Sequence, residues 1–146
     1  MITASKIFRI LVVEDNPADV YLLRRALKQA GVNYELKVID DGAEALAFVR
    51  NHPHIEKETF DLAVLDINLP TNNGIEVLAG IRQNGALSDM LVVVLTSSAA
   101  PLERSQVEQL RVARFITKPP DLADFLKIGD MLKEVLLGGE PRPAIV

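Results

Sequence analysis

Four short stretches of the chain are apolar at every position: Ile10-Leu11-Val12-Val13, Leu62-Ala63-Val64-Leu65, Leu91-Val92-Val93-Val94-Leu95 and the shorter Phe115-Ile116. A strand with one face in water alternates apolar and polar residues. A strand without alternation needs both faces covered, which is the ordinary state of a parallel sheet flanked by helices. A fifth, weaker strand is expected at Glu35-Leu36-Lys37-Val38-Ile39, where Leu36 and Val38 alternate with Lys37 and Ile39. That pattern places it at a sheet edge.

Between these runs the apolar residues return at helical spacing. Pro17 opens the first helix, where its missing N–H does no harm. Val20, Leu23, Leu27 and Ala30 then share a face, and Gly31 is the predicted stop. Further helices are predicted over 43–50 (Leu46, Val49), after Gly74 (Ile75, Leu78, Ile81), over 101–110, and over 122–137 (Leu122, Phe125, Leu132, Leu136). Strand and helix alternate five times, which predicts an α/β fold with a doubly wound, five-stranded parallel sheet and five helices.

A length of 146 residues suits one domain, expected over 1–137. Residues 138–146 fall outside the pattern, with two glycines and two prolines ahead of Ala144-Ile145-Val146. They read either as a disordered end or as an arm whose apolar tip docks on a second copy of the chain. A net charge of −4 lacks the basic stripe of a nucleic-acid binder. No apolar run approaches the roughly 20 residues of a membrane span, and the first residues do not form a secretory leader. The absence of cysteine excludes disulfides, thiolate metal sites and cysteine nucleophiles, and fits the cytoplasm.

Ligands of open α/β sheets gather beyond the carboxyl ends of the strands. The first strand ends in Glu14-Asp15, the third in Asp66, the fourth in Thr96, and the fifth leads to Lys118. Asp40-Asp41-Gly42 follows the edge strand and reads as turn and helix cap. Two carboxylates about 5 Å apart repel by roughly 3 kcal/mol at an effective dielectric near 20, so three acids at one place need countercharge. Lys118 offsets one, and the remaining pair matches a divalent cation. Oxygen ligands suit Mg²⁺ best. A carboxylate beside such an ion can accept a phosphoryl group as a nucleophile, with Lys118 and Thr96 placed to neutralise its oxygens.

Val12-Val13-Glu14-Asp15-Asn16, Leu65-Asp66-Ile67-Asn68-Leu69-Pro70 with Gly74, Leu95-Thr96-Ser97 and Ile116-Thr117-Lys118-Pro119 together resemble the receiver domains of two-component response regulators, the CheY-like superfamily. The resemblance covers about 7–137. It implies a flavodoxin-like sheet of strand order 2-1-3-4-5. It further implies that Asp66 accepts a phosphoryl group from a sensor histidine kinase, with Mg²⁺ held directly by Asp15, through water by Glu14, and by the Asn68 backbone carbonyl. Lys118 would contact the phosphoryl group, with a cis peptide bond to Pro119. Thr96 and Phe115 would be the switch pair, Thr96 drawn inward and Phe115 rotating into the vacated space.

Glu14-Asp15-Asn16-Pro17-Ala18-Asp19, the stretch 51–60 and Ile116-Thr117-Lys118-Pro119 are similar in particular to stand-alone regulators associated with bacterial phytochromes. The resemblance implies a switch that catalyses only its own phosphorylation and dephosphorylation. Its output would pass to a downstream protein or a phosphotransfer protein. Two other readings stay open: a phosphate-independent interaction module, and an aspartate-nucleophile phosphatase. The phosphatase would want a second acid where Asn68 stands.

Overall fold

The computed structural model describes residues 6–51, 59–70, 74–97 and 99–138. Strands β1 (Phe8–Val13), β2 (Tyr34–Ile39), β3 (Leu62–Leu65), β4 (Leu91–Thr96) and β5 (Arg114–Thr117) form one sheet in the order β2-β1-β3-β4-β5. All four pairings are parallel. The helices are α1 (Pro17–Gln29), α2 (Gly42–Asn51), α3 (Gly74–Gln83), α4 (Pro101–Gln109), α5 (Leu122–Leu126) and α6 (Ile128–Gly138).

The continuous apolar runs are explained by two cores, one on each face of the sheet. Leu11, Val13, Ala63, Leu65, Val92, Val94 and Phe115 pack with side chains of α2, α3 and α4. Their strand neighbours Ile10, Val12, Leu62, Val64, Val93, Leu95 and Ile116 point the other way and pack with α1, α5 and α6. Successive residues of a strand face opposite sides, so both sets must be apolar. Each fully buried Leu or Ile contributes roughly 1.5–3 kcal/mol.

β2 is an edge strand, as its weaker pattern implied, but its outward residue is Glu35. Ile39 is buried in the α2–α3 core, and the Lys37 ammonium lies 5.1 Å from the Phe48 ring centre. At the start of α1, Asn16 Oδ1 accepts the Ala18 N–H (2.9 Å), with Pro17 in the first turn. The helix ends at Ala30, and Gly31 takes φ +80, a conformation that favours glycine.

The expected fifth helix is divided at Lys127. Asp121 caps α5 by accepting the Asp124 N–H, and the Lys127 N–H turns back to the Asp124 carbonyl, which tightens the chain. The step lets Phe125 and Ile128 both enter the core. It also sets Gly129 so close to α1 that a Cβ there would overlap the Ala26 carbonyl oxygen. Gly138 closes α6, and residues 139–146, where a dimer arm was expected, lie outside the described residues.

Arg82 fixes the turn between α4 and β5. Its guanidinium donates to the carbonyls of Leu110 (2.8 Å), Ser88 (3.0 Å), Met90 (2.7 Å) and Arg111 (2.8 Å), and Arg111 itself takes φ 61. A lysine ammonium cannot span that fan of acceptors. Arg82→Ala is expected to destabilise the fold by about 2 kcal/mol, since charged hydrogen bonds to part-buried carbonyls are lost. A urea midpoint within error of wild type would contradict the expectation.

Candidate functional site: an acidic cluster around Lys118

Parallel strands deliver all their carboxyl ends to one rim, and four of the five end there in a polar side chain that joins one network. Asp66 leaves β3 buried. Its Oδ1 accepts the Asn68 backbone N–H (2.8 Å) and the Thr96 hydroxyl (2.9 Å). Thr96, wholly buried at the end of β4, in turn accepts from the Asn68 side-chain amide (2.9 Å). Asp66 Oδ2 lies 3.0 Å from Lys118 Nζ. Gly74 Cα lies against this loop: a Cβ there would overlap the Asp66 carbonyl oxygen, and the Gly74 N–H donates to the Ile67 carbonyl (3.2 Å).

Lys118 follows β5, its N–H bonded to the Thr96 carbonyl (2.7 Å). Its ammonium meets three carboxylates: Glu14 Oε1 at 2.7 Å, Asp19 Oδ2 at 2.8 Å and Asp66 Oδ2 at 3.0 Å. Burial alone would push the Lys118 pKa down. The bonds to Asp19, Glu14 and Asp66 outweigh it and hold the pKa above the ordinary lysine range, so the ammonium stays charged. Burial pushes the Glu14 carboxyl above its usual range, against the opposing pull of Lys118 and the Asn16 N–H (3.0 Å).

Asp15 is exposed beside these groups. Carboxylate oxygens of Glu14, Asp15 and Asp66 lie within 4.8 Å of one another, the one such trio among the described residues. Three hard oxygen donors, two of them buried, fit a divalent cation of the Mg²⁺, Mn²⁺ or Ca²⁺ type and no soft metal.

The predicted residues Glu14, Asp15, Asp66, Asn68, Thr96 and Lys118 are therefore brought together. Asp41 caps α2 away from them, accepting the Glu44 N–H (2.8 Å). One expectation is corrected. The Lys118–Pro119 bond is trans, as is every described peptide bond. The trans form is the ground state of an X–Pro amide by about 0.5–1 kcal/mol, and the Lys118 side chain reaches the acids from it directly. Phe115 is already inside, 1% exposed, with the Arg104 guanidinium 4.6 Å from its ring centre, and Thr96 already bonds Asp66.

Sequence reasoning missed Asp19. It makes the tally four acids against one lysine. An acid in the first turn of a helix is ordinary in itself, because it complements the helix dipole. Only its ion pair with Lys118, 99 residues along the chain, sets it apart. Asp19, Lys118, Ser97 and Pro119 also border a groove of about 480 Å³ that Leu22, Leu122 and Phe125 line as well.

A buried aspartate held by a lysine, a threonine and an amide beside two further acids, on the rim of a 2-1-3-4-5 parallel sheet, defines a phosphoryl-signalling class of protein. Residues 10–129 match the response regulator receiver domain, and the chain belongs to that family. Among its relatives, response regulator Rcp1 of Synechocystis sp. is 38% identical over 136 residues, covering 92% of each chain. The probable methanogenesis regulatory protein FilR2 of Methanothrix harundinacea is 31% identical over 98% of this chain and 92% of its own.

The phosphorylated cyanobacterial phytochrome response regulator RcpA superposes with a TM-score of 0.80 at 34% identity, covering 95% of this chain and all (100%) of that one. The Mn²⁺-bound form of Rcp1 gives 0.77 at 36% identity, over 94% and 99%. The protein is thus a two-component signalling receiver with a place for a divalent cation and a sensor kinase as partner, and the phosphatase reading is set aside. No helix among the described residues is long and apolar enough to cross a membrane.

Proposed function

We propose that Asp66 accepts a phosphoryl group from a phosphohistidine of a sensor kinase. One Asp66 carboxylate oxygen attacks phosphorus, the P–N bond breaks, and its electron pair stays on the imidazole nitrogen. The observation that carries this reading is the convergence of Glu14, Asp66, Thr96 and Lys118 from four strand ends within bonding distance. Asp15 and Asp66, with Glu14 and the Asn68 backbone carbonyl, would hold Mg²⁺, which supplies positive charge to the transferring oxygens. Lys118 supplies a second positive charge. Thr96, already on Asp66 Oδ1, turns its hydroxyl to a phosphoryl oxygen, which links the site to α4 through neighbouring Phe115 and Arg104.

The likeness to the cyanobacterial phytochrome response regulator RcpA supports a bacterial phytochrome as the kinase. The output is a protein contact, in the cytoplasm, and a second copy of the chain is proposed as a further partner on the sequence of 144–146. Acetyl phosphate with Mg²⁺ should label the protein, and excess EDTA should stop labelling. The same label should pass from one member of a panel of autophosphorylated histidine kinases. Absence of labelling by both routes, with Mg²⁺ present, would favour the phosphate-independent module.

A further inference from the structure

The geometry points to Asp19 as a positioning residue that competes with the incoming phosphoryl group for Lys118. This rests on the phosphoacceptor reading of Asp66. An ammonium has three N–H donors and no more. In the resting site each faces a carboxylate, those of Glu14, Asp19 and Asp66, at 2.7, 2.8 and 3.0 Å. A phosphoryl donor therefore approaches a lysine with no N–H to spare.

The three acids are not equivalent. Glu14 and Asp66 belong to the trio that fits a cation, so a bound ion shares their charge. Asp66 gives up its charge altogether when one of its oxygens bonds to phosphorus. Asp19 stands outside the trio, on α1, its side chain 19% exposed at the edge of the groove that leads to Lys118. It alone keeps full hold of the ammonium while the phosphoryl group arrives. It divides the lysine's positive charge with that anion and adds a repulsion of its own. The consequence is a site that resists phosphoryl anions yet attracts cations, and both effects have one source.

That pairing gives the test its signature. At saturating Mg²⁺, Asp19→Asn should lower the half-saturating acetyl phosphate concentration for labelling about fivefold, roughly one part-buried ion pair, with the maximal rate within about twofold. Beryllofluoride, a phosphoryl mimic, should bind the variant tighter by a similar factor, whereas Mg²⁺ alone should bind it more weakly. A merely structural role would shift all three in the same direction. Asp19→Glu, whose carboxylate still reaches the ammonium, should behave as wild type. In a Lys118→Ala background the effect of Asp19→Asn on beryllofluoride binding should vanish. If that background no longer binds the mimic, the glutamate variant decides.

An unchanged or raised half-saturating concentration in Asp19→Asn would overturn the proposal, as would an asparagine-like glutamate variant or an effect that persists without Lys118. Wild-type protein that takes no label at all would instead remove the Asp66 reading and this inference with it.

Discussion

Asp66→Asn should take no label from acetyl phosphate or from a cognate kinase, at least about a hundredfold below wild type, because an amide oxygen cannot serve as the nucleophile. The substitution is nearly isosteric. Its Oδ1 can still accept the Asn68 N–H and the Thr96 hydroxyl, which lie 2.8 and 2.9 Å from the aspartate oxygen. One of the three charges facing Lys118 is what disappears. Circular dichroism should accordingly match wild type, which separates lost chemistry from lost structure. Label retained at the normal rate would move the acceptor to another residue and dismantle the assignment of the site.

Gly74→Ala is expected to cost about 3 kcal/mol and to lower Tm by roughly 10 °C. The added methyl would overlap the Asp66 carbonyl oxygen and stand 2.6 Å from the Ile67 Cα, both backbone, with no side chain able to swing aside. Relief requires α3 to move from the loop that carries Asp66 and Asn68. Mg²⁺ affinity should therefore fall together with stability. Gly80→Ala is the natural control. Its methyl meets the ends of Val49 and Leu46 side chains at 3.0 and 3.3 Å, which can adjust. Equal destabilisation by the two substitutions would show that general crowding of α3, not contact with the site loop, is responsible, since helix propensity favours alanine over glycine. Differential scanning calorimetry and a metal titration on both variants read the difference.

The fold was legible because its strongest constraint is written locally. Ile10 through Val13 can be apolar without interruption only if neighbours cover both faces, and the two cores do so. The strand ends were legible for the same reason: a polar residue directly after a buried strand must emerge at the rim, which places Asp66, Thr96 and Lys118 together. What escaped the sequence depends on contacts between distant elements. Asp19 looks like any acid at a helix start until β5 brings Lys118 to it. The division of α5 from α6 at Lys127 answers to the tight approach of Gly129 to Ala26, which a heptad-like pattern over 122–137 does not encode. The burial of Phe115 beneath Arg104 is likewise a property of how α4 lies on the sheet.

The bond between Lys118 and Asp19 spans 99 residues of chain, and that between Lys118 and Asp66 spans 52. During synthesis the acids at 14, 15, 19 and 66 leave the ribosome well before their lysine does. A nascent chain that ends ahead of β5 holds like charges with nothing of its own to offset them, so closing the rim early is unfavourable. The last strand brings the ammonium with it. The three carboxylates that face Lys118 thus gain their countercharge from the chain only once β5 is in place.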